Sequence, residues 1–409
     1  MKYANQYLQS AIAIIDSYDG AVPLAGFLKN YFAANKKFGS KDRKHIAQLC
    51  FAYYRLGHAA KQLFAKEAIQ ASLQLAGVAT DWASLYDDTY SKVSIDKNAV
   101  FPFSAALSDG IDLDQFVANH FIQPDVFLRI RPGKQEQVMN ALQQAGIGFH
   151  AMGTYTLAVA ASTKLDNVGS INKDYVIQDY SSQQVGVLLS KVKEERLKVK
   201  GEREKKEDEY NPSSLQLQPS TLSPSPFPLP TSTSVWDCCA ASGGKSILAK
   251  DVFGDIDLTV SDIRPSILQN LKKRFSESSI FNYQSSVIDL TKISDARLKI
   301  KDFDLVICDA PCTGSGTWTR TPEQLYFFKA STIDQFQHLQ QKIILNTIGA
   351  VKKGGYYLYI TCSAFKKENE EQIAFIQANS GLQLVEQQLI KGYTLHADTM
   401  FAALLRNKG

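Results

Sequence analysis

Apolar and polar positions along the first 75 residues alternate at a helical period. Leu8, Ile12 and Ile15 fall on one face, as do Ile46, Leu49, Cys50, Tyr53 and Tyr54, which predicts amphipathic helices packed on one another. Ser40 stands before the second run as a cap, with Asp42 in the first turn. Residues 76–126 carry no comparable pattern and read as a connecting region. From residue 127 the period shortens. Phe127-Leu128-Arg129-Ile130-Arg131-Pro132 reads as a strand halted by proline, Val138, Ala141, Leu142 and Ala145 as one side of a helix over 136–145, and residues 156–161 as another strand. Ser181 and Ser182 then cap a further helix. Residues 127–190 are therefore expected to form a small α/β subdomain.

The pattern fails between residues 191 and 234. Residues 191–209 hold eight basic and seven acidic side chains, and residues 210–234 hold six of the thirteen prolines with ten Ser or Thr. The second of these compositions cannot bury a core, so a disordered linker is expected over 191–234, the charged part being at most a solvated helix extension. Beyond it, short apolar runs end in chemically capable residues. Leu258-Thr259-Val260-Ser261 stops at Asp262, Ser286-Val287-Ile288 at Asp289, Leu305-Val306-Ile307-Cys308 at Asp309, and Tyr356-Tyr357-Leu358-Tyr359-Ile360 runs through Thr361 to Cys362. Continuous apolar runs bounded by Gly and Pro are strands of a buried parallel sheet, where ligands gather at the carboxyl ends. The expected class over 235–409 is α/β with a Rossmann-like sheet.

The run Val235-Trp236-Asp237 turns through Cys238, Cys239, Ala240, Ala241, Ser242, Gly243, Gly244 and Lys245 into a helix. Small residues at a first strand–helix turn let a ligand approach the helix amino terminus. The string is neither GxGxxG nor GxxxxGK[ST], which disfavours phosphate chemistry. Asp262, seventeen residues after Lys245, suits a ribose diol. The pairing of Cys312, just past Asp309, with Cys362 places two thiols and a carboxylate at one sheet edge.

Composition narrows the picture only in part. The 409 residues, 44% hydrophobic and 21% charged, allow two or three globular domains. A formal charge of +4 means that any RNA-binding surface is local. The candidates are Lys36, Lys37, Lys41, Arg43 and Lys44 around the second helix, Arg129 and Arg131 on the strand, and Arg320. No 18-residue apolar run and no signal-peptide layout is present, so a cytoplasmic, membrane-free protein is expected. The six cysteines lack paired CxxC spacing and the six histidines are scattered; no metal site and no structural disulfide is expected, and Cys50, Cys238 and Cys308 are read as packing.

DCCAASGGK at 237–245, DAPCTGSGTWTRTPE at 309–323 and TCSAFKKENEEQI at 361–373 resemble the ordered motifs of the RsmB/Sun-like RNA cytosine-C5 methyltransferases. The resemblance covers 235–409 as a class I methyltransferase domain, 127–190 as its amino-terminal subdomain, with QDxSS at 178–182, and more faintly 1–75 as a NusB-like helical RNA-binding domain. It implies S-adenosylmethionine as cofactor, held by residues 239–245, Asp262, Asp289 and Asp309. It also implies Cys362 as nucleophile, Cys312 as its partner in product release, and Asp309 as a group balancing charge on the base. A monomer acting on RNA is expected, ribosomal before transfer RNA. A catalytically silent RNA-binding or assembly factor remains the alternative from another class. DNA as substrate is disfavoured, because the expected nucleophile would then sit in a Pro-Cys pair rather than Thr361-Cys362-Ser363. Two departures stand out: Ser242 occupies the place of the family's usual proline, and the 191–234 insertion is atypical.

Overall fold

The computed structural model describes residues 3–86, 95–209, 232–292 and 302–409. The Pro/Ser/Thr-rich part of the expected linker, residues 210–231, lies outside the described residues.

The amino-terminal part is helical: α1 (Ala4–Ser17), α2 (Leu24–Ala34), α3 (Ser40–Arg55), α4 (Ala65–Leu75), α5 (Lys97–Val100) and α6 (Leu113–His120). Leu8 and Ile15 of the predicted α1 stripe are buried with Ile14, Ile12 is only partly so, and they meet Ile46, Leu49 and Cys50 of α3. Cys50 is packing, and burial pushes its thiol up to about 12. The cap of α3 differs from expectation. Gly39 precedes the helix, and the Asp42 carboxylate accepts from its amide at 2.9 Å. Ser40 is already helical, because an acid three positions in satisfies the orphan amide better than a hydroxyl one residue late.

A small antiparallel sheet comes next, made of β1 (Val126–Ile130), β2 (His150–Ala151), β3 (Thr156–Val159) and β4 (Tyr175–Ile177) in the order β2-β3-β1-β4, with α7 (Gln135–Gln144) against it. Then comes α8 (Tyr180–Glu209). Residues 191–209 are thus helix, not disordered linker. Val185, Leu188, Leu189 and Val192 bury one side of α8. Its charges reach sheet partners: Lys191 pairs with Glu386 and Arg196 with Asp304.

The carboxyl-terminal region contains β5 (Thr233–Asp237), α9 (Gly244–Phe253), β6 (Ile256–Asp262), α10 (Pro265–Glu277), β7 (Tyr283–Val287), β8 (Phe303–Asp309), α11 (Glu323–Phe327), α12 (Ser331–Thr347), β9 (Val351–Thr361), α13 (Glu370–Ala378), β10 (Leu382–Lys391) and β11 (Thr399–Asn407). Its seven-stranded sheet runs β10-β11-β9-β8-β5-β6-β7. The pairs from β9 to β7 are parallel, while β11 is antiparallel to both β9 and β10. A sheet parallel at its centre, with helices between its strands, is the Rossmann-like α/β class expected over 235–409. Separate apolar clusters cover the two faces, which is why β8 and β9 read as unbroken apolar runs. Among the described residues no helix is long and apolar enough to cross a membrane.

Candidate active site at the carboxyl edge of the sheet

β8 and β9 run parallel with Asp309 opposite Ile360, so the segments leaving the two strands emerge side by side. Ala310 donates its amide to Ile360 at 2.8 Å, and Gly316 donates to the Cys362 carbonyl at 2.9 Å. A side chain at Gly316 would put a Cβ 1.9 Å from the Thr399 carbonyl oxygen. Only glycine fits there, and the loop carrying Cys312 is pressed onto the end of β9. The Cys312 and Cys362 sulfurs stand 3.3 Å apart. That hydrogen bond, and then burial, hold the Cys312 thiol well above its ordinary value. Either sulfur can donate in that contact.

The glycine turn lies beside this pair. Gly243 has φ +83° and a Cβ there would come 2.5 Å from the Phe275 ring, so the entry into α9 requires glycine. Lys245, nearly buried, sends its ammonium to the Asp309 carboxylate at 3.1 Å and to Ser182 Oγ at 2.7 Å. Ser182 belongs to α8, so three segments meet at one cation. Ser242 is held in the turn by Arg274, which donates to its hydroxyl at 2.8 Å and to its carbonyl at 3.0 Å.

Asp262 is buried and saturated. It accepts from the Ala241 amide at 3.0 Å, the Arg264 amide at 2.9 Å and the Arg264 guanidinium at 3.0 and 3.1 Å. Burial alone would raise its carboxyl; Arg264 and the amides outweigh that and hold it below the ordinary range. The Arg264 side chain is largely exposed, so a hydroxyl-bearing ligand could displace it. Asp289 lies past β7 on the same edge, held low by the Thr291 hydroxyl and amide and by Lys292. Sequence reasoning passed over Asp237. Its side chain is fully buried, Oδ2 accepts from Ser246 Oγ at 2.6 Å, and Oδ1 has no partner. Burial pushes its carboxyl up to about 7.

Cys239 is only partly buried, and its sulfur lies within 4.8 Å of those of Cys238 and Cys308. Spacing rules missed this cluster because Cys308 joins from the neighbouring strand. Burial and the adjoining sulfurs hold the Cys238 thiol well above its usual range, so it stays protonated at ordinary pH.

The expected RNA contacts divide. Lys36, Lys37, Lys41 and Lys44 are exposed, Lys37 lies 5.1 Å over the Phe38 ring, and half-buried Arg43 donates to the Phe38 carbonyl. Arg129 and Arg131 are corrected: both grip Asp251 of α9, Arg129 is buried, and Arg131 also donates to the Asn172 and Ser278 carbonyls. Arg129 lies on β1 and Arg131 just past its end, on the side that meets α9. Arg320 is paired within the chain but keeps part of its side chain exposed. It is committed to Asp398 at 2.8 Å and Asp179 at 2.7 Å, joining the QDxSS segment to the turn before β11.

Comparison with known proteins accords with this site. Residues 228–405 match the family described as 16S rRNA methyltransferase RsmB/F. Ribosomal RNA small subunit methyltransferase B of Yersinia enterocolitica is 30% identical over 153 residues, which are 37% of this chain and 35% of that protein. The protein of the same name in Xanthomonas campestris is 30% identical over 160 residues, 38% of this chain and 36% of its own. The chain thus spans about a third of the length of these curated relatives. Among solved structures, PH0851 superposes over 98% of both chains with a TM-score of 0.67 at 16% identity. NSun6 from Pyrococcus horikoshii, solved with SFG, gives 0.53 at 13% identity over 73% of this chain and 94% of its own. At such identities these structures show a shared fold.

Proposed function

We propose that the protein methylates C5 of a cytosine in RNA, ribosomal RNA before transfer RNA, with S-adenosylmethionine as donor; the match of residues 228–405 to the family described as 16S rRNA methyltransferase RsmB/F supports this reading. The observation that carries the proposal is the Cys312–Cys362 pair, 3.3 Å apart, beside the Asp309–Lys245 ion pair at the mouth of a glycine turn.

The cofactor fits the residues present. The unpartnered Asp237 Oδ1 offers an acceptor to an amino group, the open amino terminus of α9 suits a carboxylate, and Asp262 suits ribose hydroxyls once Arg264 moves aside. When bound, S-adenosylmethionine supplies an electrophilic methyl on a sulfonium. The chain must make C5 of cytosine nucleophilic enough to take it. Addition of the Cys362 thiolate at C6 does so, since the ring then carries an enamine at C5. Electrons displaced toward N3 need a proton there; Lys245 can pass one through Asp309, whose Oδ2 it already contacts. After transfer C5 carries both methyl and hydrogen. Loss of that proton to a base expels the Cys362 thiolate, and Cys312 is placed to supply or orient the base.

The two thiols are separable by experiment. Cys362→Ala should yield neither 5-methylcytosine nor a protein–RNA adduct. Cys312→Ala should methylate once and stall, giving a retarded band on a denaturing gel that carries label from the methyl group. An adduct with Cys362→Ala instead exchanges the roles, and turnover by both variants without an adduct rules out the covalent route. Bisulfite sequencing of RNA from cells with and without the protein identifies the cytosine; no difference between them overturns the proposal.

A further inference from the structure

The two thiols sit on separate segments, and each is followed by a hydroxyl: Thr313 after Cys312, Ser363 after Cys362. Both hydroxyls converge on one carboxylate that sequence reasoning did not single out. Glu368 Oε2 accepts from Thr313 Oγ at 2.6 Å and from Ser363 Oγ. Its Oε1 accepts from the Thr313 amide at 2.9 Å and from Gln340 Nε2 at 3.3 Å. The residue is fully buried at the end of the short turn Lys366–Glu368, and its own carbonyl accepts from Tyr359 of β9 at 2.8 Å. Burial raises its carboxyl while the Ser363 and Thr313 hydroxyls work against that.

A buried carboxylate is costly, and a hydrophobic residue of similar size would fill the space more cheaply. What the carboxylate does is geometric. The loop over 310–316 touches β9 through amides at its two ends, Ala310 and Gly316. Between them Thr313, and with it Cys312, is anchored through its amide and hydroxyl to Glu368. The same oxygen that holds Thr313 holds Ser363. We propose that Glu368 is a positioning residue that ties the residue after each thiol to one carboxylate and thereby sets the Cys312–Cys362 separation. Its catalytic consequence rests on the activity proposed for the site; its geometric consequence does not. The fold has an independent tie between the same segments, because Ser315 Oγ accepts from the Ala364 amide at 2.8 Å. Loss of Glu368 should therefore loosen the thiols before it unfolds the domain.

The first test needs no RNA. Diamide removes the two thiol hydrogens and closes a Cys312–Cys362 disulfide, whose rate, read by peptide mapping, reports how often the sulfurs meet. Glu368→Ala should slow closure by up to ~100-fold, the order expected for a misplacement of about 1 Å between reacting groups. Glu368→Gln keeps one acceptor oxygen and offers an amide to two hydroxyls that can accept, so it should restore closure to within about threefold. Oxidation among Cys238, Cys239 and Cys308 should be the same in all three proteins. The second readout is methylation: kcat should fall with closure and return in Glu368→Gln, with cofactor Kd unchanged. A folded Glu368→Ala that closes at the wild-type rate overturns the proposal. Should that variant not fold, Thr313→Val and Ser363→Ala each cut one arm, and wild-type closure in both overturns it equally. A wild-type protein that makes no 5-methylcytosine refutes the proposed activity alone, because the disulfide measurement stands without it.

Discussion

Asp237 carries a consequence that can be measured without any substrate. Its carboxyl is pushed from 3.8 to about 7 by burial, so the folded value lies above the unfolded one. Such a group costs folding nothing below pH 3.8; the cost grows as pH rises toward 7 and is constant above it. Asp237→Asn keeps the acceptor for Ser246 and removes the titration. The variant should match wild type near pH 4 and exceed it by on the order of 4 kcal/mol at pH 8, seen as a higher Tm. Its affinity for S-adenosylmethionine should fall at the same time. A Tm difference independent of pH would contradict the assignment. This residue also marks where reading the sequence stops. Asp309, Cys312, Cys362 and the turn through Lys245 were legible because each ends an apolar run, and the sheet brings those ends together. Asp237 and Glu368 were not, because what distinguishes them is burial and the absence or convergence of partners, which no spacing encodes. Arg129 and Arg131 were misread for the same reason, since their partner Asp251 lies 120 or more residues away.

At the level of elements, charge misled where apolar pattern did not. The strands of the parallel sheet declared themselves, as did the start of α8, but its continuation over 191–209 was hidden by its own composition. Lys193 donates to the Val252 carbonyl at 2.7 Å, and the Tyr356 hydroxyl donates to Glu195. A run that looked solvated is thus stitched to α9 and β9. The clamp between β1 and α9 shows what such stitches are worth. Asp251 is nearly buried between Arg129 and Arg131, and desolvation lowers Arg129 while Asp251 supports its charge. Asp251→Ala leaves a buried guanidinium without its anion, which should cost on the order of 3–5 kcal/mol and lower Tm by roughly 10 °C. Because α9 begins at the glycine turn, cofactor affinity should drop as well. Replacing all three residues by apolar ones should recover much of the Tm, since a buried pair costs desolvation that packing does not. A Tm loss under about 1 °C for Asp251→Ala would show that the clamp is solvent-relaxed.

Over the whole molecule, the amino-terminal helices do more than sit beside the domain of the seven-stranded sheet. Their apolar core is continuous with Trp318, Leu325, Ala364 and Phe365, residues that come after Cys312 and Cys362 on the two thiol-bearing segments. Arg55, at the end of α3, is buried and donates to the carbonyls of His120 at 2.6 Å, Ile122 at 3.0 Å and Thr319 at 3.0 Å, and to Gln123 Oε1 at 2.7 Å. Across the same junction Glu323 accepts from the Leu24 amide at 3.0 Å. One guanidinium thus gathers three carbonyls that have no other reason to converge, and one belongs to the segment leaving the Cys312 loop. Arg55→Met preserves the bulk of the stem but strands those acceptors, a loss of about 2–4 kcal/mol concentrated at the junction. The helices should stay folded, because their stripes are untouched. Hydrogen exchange should instead quicken over residues 310–328, and methylation should slow while cofactor affinity holds, since the glycine turn lies away from the junction. Faster exchange confined to residues 3–75, with 310–328 as protected as in the wild type, would mean that the helical part is a tethered module and that the catalytic loops stand without it.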